Sequence, residues 1–227
     1  MSKHSASGKD AIPEKPVSPS HNSESSGNKP DPPEGILRHV SYFLHPEQAP
    51  GPGSFYSISL CGIREAGAKL GLTPSETMIF CLEHGIWPSR FKSNRGTFSN
   101  KDQITLLRGK VAIIGCGGLG GYVGLILARL GIGALVVCDG DVFAESNLNR
   151  QAFCREDRIG TYKALAARED LQAVASHLDV RAVPEFADTT NLPGILNDCH
   201  AVVDCLDDIS ARRMVEQAAH AANIPFI

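Results

Sequence analysis

The chain has 227 residues, with 22 Lys and Arg against 25 Asp and Glu, and 42% of it is apolar. That length allows one well-buried core plus an accessory piece, and a net charge of -3 argues against a protein that coats a phosphate backbone, so no nucleic-acid partner is expected. The longest apolar stretch, Gly131 to Cys138 with the helix before it, is broken by Arg129 and falls short of the ~20 residues of a bilayer span, so no membrane helix is expected either.

Residues 1–35 are Ser, Pro, Lys and Asn with almost nothing apolar, a composition that cannot offset the entropy of ordering, and a disordered tail is expected there. The tail has no apolar h-region and mixes Asp10, Glu14 and Glu24 with its lysines, so neither a secretory signal nor a transit peptide is expected in it. The seven cysteines are scattered, mostly inside apolar runs, as free thiols of a reducing compartment would be, and the cytoplasm is the default location.

From residue 36 to 100 a small helical unit is expected. Ala49-Pro50-Gly51-Pro52-Gly53 fits neither helix nor strand. Ile63 to Leu70 reads as a helix stopped by Gly71, and Thr73-Pro74-Ser75-Glu76 supplies an N-cap, a proline at N1 and a capping-box glutamate for a second helix reaching about His84. Two helices joined by Gly71-Leu72-Thr73 also suit a DNA-reading helix-turn-helix, but the second carries Glu76 and Glu83 and no Lys or Arg, so it would repel phosphates.

Residues 101–227 change rhythm. Val111 to Ile114, Ala134 to Cys138, Val180 to Val183, Ala201 to Cys205 and Pro225 to Ile227 are short apolar, partly β-branched runs. Helical stretches alternate with them: Gly120 to Leu130, Lys163 to about Val174, a short turn near Leu192 to Leu196, and Ser210 to Ala222. Strands separated by helices imply right-handed crossovers, hence a doubly wound, Rossmann-like α/β domain with a parallel sheet.

The first strand runs into Gly115-Cys116-Gly117-Gly118-Leu119-Gly120, which opens the first helix. In that context glycines allow a tight turn and let backbone N–H groups approach a phosphate at a helix N-terminus. Asp139 ends the second strand, where an acid accepts hydrogen bonds from ribose hydroxyls or, alternatively, caps the strand end. An NAD-dependent oxidoreductase would have all this. What such an enzyme does not require is the polar segment that follows, Asp139-Gly140-Asp141 through Ser146-Asn147-Leu148-Asn149-Arg150-Gln151, and then Lys163 at a helix start. Two cations near the glycine turn suit a triphosphate whose charge rises at a transition state. Lys163 would also be unfavourable beside the helix dipole unless something compensated it.

With Gly160 and Val203-Asp204-Cys205-Leu206-Asp207-Asp208, these segments resemble the ThiF/MoeB/HesA family of adenylating enzymes, from about Arg90 to Ile227 and in the family's order and spacing. The resemblance implies ATP-dependent adenylation of the C-terminal carboxylate of a ubiquitin-like sulfur-carrier protein ending in Gly-Gly, with ATP and Mg²⁺ bound and with a homodimer as the assembly. Carried over residue by residue, Gly115, Gly117, Gly118 and Gly120 form the nucleotide turn, Asp139 holds the ribose, and Asp141 is counted among the nucleotide-binding residues. Asn147, Arg150 and Lys163 contact phosphates, Arg150 and Lys163 offset charge in catalysis, and Asp207 holds Mg²⁺. Asp208 reads as the cap of the following helix, Cys116 as a space-filler, and Asp204 as a possible partner of local backbone. Two departures stand out. Where family members read Arg-Tyr-x-Arg-Asn and donate an arginine across the dimer, this chain reads Arg90-Phe91-Lys92-Ser93-Asn94-Arg95, so the expected arginine falls on Ser93 and only Arg90 or Arg95 is left to replace it. The last residues, Ile224-Pro225-Phe226-Ile227, read as a buried strand where the family continues, so truncation or completion by another chain is expected; no two cysteines form C-x-x-C, so no zinc is expected. A catalytically impaired ATP- or partner-binding member is therefore a competing reading.

Overall fold

A computed structural model describes residues 40–49 and 54–227. The tail expected over 1–35 and most of the Pro-Gly breaker lie outside the described residues.

Two α-helices of the N-terminal unit lie where the sequence predicts them, α1 over Leu60–Leu70 and α2 over Pro74–Glu83. Gly71 ends α1 in the left-handed region at φ 69°, and Thr73 and Glu76 close a reciprocal capping box on α2. The N-terminal unit holds more than these helices. Strands β1 (Leu44–Gln48), β2 (Ser54–Ile58) and β3 (Ile86–Pro88) form a small sheet, β1 antiparallel and β3 parallel to β2. Helix α3 (Asn100–Arg108) packs against α2. Together they enclose Ile63, Met78, Leu82, Trp87, Phe91 and Leu107 in a core of their own. The strands escape a pattern reading because β1 and β3 each contain a proline and all three are short.

The second sheet is parallel throughout, in the order β6, β5, β4, β7, with β4 at Lys110–Ile114, β5 at Ala134–Cys138, β6 at Asp179–Val183 and β7 at Ala201–Asp204. Alternate residues face opposite layers. Ile113, Leu135 and Val137 pack under α4 (Gly118–Leu130) and α5 (Lys163–Val174). Ala112, Ile114 and Val136 pack under α6 (Leu192–Leu196) and α7 (Ile209–Ala221). Burial on both faces explains why the central strands β4 and β5 read as apolar runs, whereas the edge strand β6 exposes Asp179 and Arg181. Pro225 to Ile227 pair in parallel with β7, through Val202 N–H to Pro225 O at 3.0 Å and Ile227 N–H to Val202 O at 3.1 Å. The chain proceeds from β4 to β5 to β6 in one direction and then crosses to β7 on the other side of β4. That reversal leaves a crevice beyond the carboxyl ends of β4 and β7, where ligands of this architecture bind.

Candidate functional site

The turn after β4 is shaped by steric necessity. Gly115 adopts φ 97°, and a side chain there would meet the Cys205 carbonyl at 2.8 Å. A Cβ on Gly120 would lie 1.8 Å from the Gly115 carbonyl oxygen, so Gly120 serves the packing of helix on strand. Gly117 and Gly118 are different: the nearest atoms to a Cβ at either are those of Gln151 at 3.5 Å and of Arg150 at 3.9 Å, which leaves open space at the N-terminus of α4. A helix N-terminus with such space is the kind of place where backbone amides can receive an anion.

Asp139 holds this turn from the neighbouring strand. Its Oδ2 accepts the Cys116 N–H at 2.7 Å and its Oδ1 accepts the Asp141 N–H at 2.8 Å. Burial raises the Asp139 carboxyl above its ordinary range, and these two amides and Lys163 oppose that. Both oxygens keep a lone pair for a further donor.

The cleft, about 480 Å³, is lined by Gly115, Gly117, Gly118, Asp139, Asp141, Arg150, Lys163 and Asp207 among others. Eight of the site residues expected from the sequence are thus brought together. Arg150 lines the cleft with its stem beside Gly118, and its Nη1 donates to the Ser146 carbonyl at 2.8 Å and to Asn149 Oδ1 at 3.1 Å, so its guanidinium is held by its own loop. Lys163 Nζ donates to Asp141 Oδ2 at 2.8 Å, and the lysine side chain is 9% exposed. The compensation that a cation at a helix N-terminus requires therefore comes from within the chain.

Two expected site residues lie elsewhere. Gly120 is buried behind the turn, and Asn147 does not line the cleft: its Oδ1 accepts the Ala144 N–H at 3.0 Å and fastens the loop that carries Arg150. Arg90 donates to the Val174 carbonyl at 3.2 Å, at the far end of α5 from Lys163, and Arg95 lies over the Phe55 ring at 4.2 Å. Neither faces the cleft of its own chain.

Other residues of the cleft were not legible as site residues. Phe186, 69% exposed in the loop after β6, lies across Gly140, where a Cβ would meet its ring at 2.7 Å. Gln151 is buried in the lining and its Oε1 has no hydrogen-bond partner, an orphan that a ligand would satisfy. Asp204 is the internal brace of the segment that carries Asp207: its Oδ1 accepts the Leu206 N–H at 3.0 Å and its Oδ2 the Arg212 Nε–H at 2.6 Å. Asp208 caps α7 through the Ala211 N–H at 2.7 Å. Cys116 is buried, its thiol held well above the ordinary range by burial, and Cys138 and Cys205 are pushed up to about 12 and about 11 by the same cause, so these thiols are poor nucleophiles. A second groove of about 460 Å³, between α6 and α7, shares no residue with the cleft.

A family profile described as the ThiF family matches residues 91–227, more than half of the chain. The chain belongs to the ThiF family. Within it, the chain is similar to the adenylyltransferase and sulfurtransferase uba4 of Aspergillus fumigatus, 36% identical over 127 residues, covering 55% of this chain and 25% of that protein. It is 30% identical over 130 residues to the molybdopterin-synthase adenylyltransferase of Escherichia coli, covering 57% and 52%. Among solved structures, the tRNA N6-threonylcarbamoyladenosine dehydratase TcdA of E. coli in complex with ATP matches with a TM-score of 0.59 and 25% identity, over 62% of this chain and 58% of that one. The chain thus spans about a quarter to a half of the length of these curated relatives. The ThiF match takes in the whole parallel sheet, begins at Phe91 and so includes α3, and leaves most of the N-terminal core outside it. Among the described residues no helix is long and apolar enough to cross a membrane, and no cluster of three or more His, Cys, Asp or Glu could hold a metal ion.

Proposed function

We propose that this ThiF-family chain binds ATP in the cleft over Gly115 to Gly120 and adenylates the C-terminal carboxylate of a ubiquitin-like sulfur-carrier protein ending in Gly-Gly. The observation that carries the reading is the convergence of Arg150 and Lys163, from separate segments, on the open side of the glycine turn. A nucleotide fits the groups present: free space at Gly117 and Gly118, spare lone pairs on Asp139 toward a ribose, the orphaned Gln151 Oε1, and the Phe186 ring as a face for the base. The adenylyltransferase names of both curated relatives and the ATP bound in the TcdA structure support the same chemistry.

Adenylation sets a carboxylate against an α-phosphate, two anions that repel until cations shield them. Arg150 and Lys163 supply that shielding, and the amides at the start of α4 hold phosphate oxygens. Mg²⁺ commonly takes one or two carboxylates and completes its shell with phosphate oxygens and water, so the absence of a protein-only cluster is compatible with Asp207 as its single anchor at the rim. When bound, the ion would neutralise phosphate charge. We assign residues 101–227 to nucleotide binding and 36–100 to an accessory unit, with α3 at the junction packed into the core of the accessory unit. A homodimer is supported by α4, whose outer face shows Leu119, Tyr122 and Ile126 at 60%, 52% and 57% exposure, one apolar stripe beginning at the cleft. Seven free thiols suit a cytoplasmic location.

ATP–pyrophosphate exchange with candidate carriers tests the reading: Arg150→Ala should abolish exchange with the fold intact, and persistent exchange would refute the role. One competing reading has a specific observation behind it. Ser93 replaces the expected arginine, and Arg90 and Arg95 are both engaged within the N-terminal half or at the far end of α5, which favours a catalytically impaired member that binds ATP or a partner. ATP binding without exchange would select that reading, and NADH binding in place of ATP would select an oxidoreductase.

A further inference from the structure

A lysine as the first residue of a helix faces the positive end of the helix dipole, and one that is also desolvated needs a counter-charge. Lys163 opens α5, its side chain is 9% exposed, and the preceding Tyr162 supplies no side-chain cap. The counter-charge is Asp141, bound twice to the same residue: its carbonyl accepts the Lys163 N–H at 2.9 Å and its Oδ2 accepts from Nζ at 2.8 Å. Asp141 is itself fixed, its N–H donating to Asp139 Oδ1 at 2.8 Å, while Asp139 Oδ2 takes the Cys116 N–H at 2.7 Å. An unbroken series of bonds therefore runs from the glycine turn through two carboxylates to the ammonium group. Within the ion pair the acid is the solvent-facing member, with a side chain 55% exposed against 9% for the lysine.

An aspartate so placed is a poor direct ligand for a triphosphate, because like charges repel, yet it fixes where the ammonium stands. We propose that Asp141 is a positioning residue: it holds Lys163 in the nucleotide-free cleft and yields the ammonium to a phosphate when ATP arrives. The proposal rests on the ATP reading above for its second half only. Exposed ion pairs contribute little, but here one partner is buried, and the tether sets the geometry of a group that acts in the cleft. The backbone bonds of Asp141 do not involve its carboxylate, so Asp141→Ala should keep the fold, at a cost in stability for the ammonium left without its counter-charge, which thermal melting reads separately.

Two readouts on the full chain test this. The first needs no nucleotide activity: lysines are acetylated with sulfosuccinimidyl acetate and their rates mapped by mass spectrometry. In the parent chain Lys163 should react more slowly than exposed lysines such as Lys101. Asp141→Ala should speed Lys163 by about tenfold, the order of one charge-assisted hydrogen bond, with Lys101 unchanged. An unchanged Lys163 rate overturns the tether. MgATP should protect Lys163 in both proteins. Faster labelling without protection by MgATP overturns the hand-off and counts against the ATP reading while the tether stands. The second readout is pyrophosphate exchange: Asp141→Ala should lower kcat by about tenfold with KM for ATP within about twofold or lower, and Asp141→Asn, which keeps an oxygen acceptor for the ammonium, should restore most of kcat. Equal losses in the two variants, or a rise in KM that accounts for the whole effect, would refute positioning through Lys163.

Discussion

The carboxylate of Asp139, at the end of β5, accepts the amide of Cys116 in the turn after β4 at 2.7 Å, so the acid on one strand shapes the loop that follows its neighbour. The glycine turn is therefore not self-sufficient. Removing the carboxylate should both loosen the turn and weaken nucleotide binding. Asp139→Ala gives up two hydrogen bonds to a charged acceptor, each contributing roughly 1.5–3 kcal/mol. Asp139→Asn should be nearly as damaging, because its amide nitrogen must face one of the two donors. Thermal melting and ATP titration of both variants check this, and an Asn variant equal to the parent chain in both would refute it.

Glycines in one short turn should separate into two classes. Gly120→Ala puts a carbon 1.8 Å from the Gly115 carbonyl and should cost at least ~3 kcal/mol of stability or prevent folding. Gly118→Ala meets nothing closer than 3.9 Å and should fold with stability within ~1 kcal/mol of the parent, yet bind ATP about tenfold more weakly because its methyl group occupies the approach to the phosphates. Denaturation midpoints combined with binding isotherms would reveal whether the two substitutions behave alike.

Phe186 offers a large ring to the cleft and is 69% exposed, so little folding free energy depends on it. If the base rests on that ring, Phe186→Ala should lose roughly 1–3 kcal/mol of nucleotide affinity, by analogy with base–aromatic stacking elsewhere, and Phe186→Trp should keep it. Unchanged ATP affinity in the alanine variant would remove the ring from the site.

His177 predicts a pH dependence of stability away from the cleft. It is buried against Phe91, neither ring nitrogen reaches a partner in hydrogen-bonding geometry although the Ile132 backbone pulls its pKa up slightly, and burial followed by nearby Arg90 holds it down to about 4 from 6.5. Between those two values the unfolded chain takes up a proton that the folded chain refuses. The contribution is thus complete above pH 6.5 and lost as pH falls toward 4, on the order of 3 kcal/mol in all. His177→Leu should flatten that slope in urea denaturation at pH 7.5 and 5; an undiminished slope would assign the acid sensitivity to other groups.

Some of the molecule was legible from local rules because its causes are local. Thr73 and Glu76 sit three residues apart and cap one turn of helix, Gly71 supplies the left-handed stop, and the β4-turn-α4 unit is read from consecutive residues. The apolar runs of β4 and β5 named the sheet because a strand buried on both faces has no polar side to display. The family motifs likewise pointed to Arg150, Lys163, Asp139 and Asp207, which share the cleft.

Other features depended on which segments the sheet brings together. Phe186 matters only because β6 lies beside β5 and carries the following loop over Gly140, and Arg90 is committed to α5 by contact with Val174, distant in the chain. The ion pair between Asp141 and Lys163, and the turning of Asn147 toward Ala144, follow from how the connecting loop folds back on itself. Residue types and their spacing thus determined the class of fold and the cations to examine. Packing between distant segments decided which polar groups were left free for a ligand, because a hydrogen bond satisfied inside the protein withdraws that atom from chemistry.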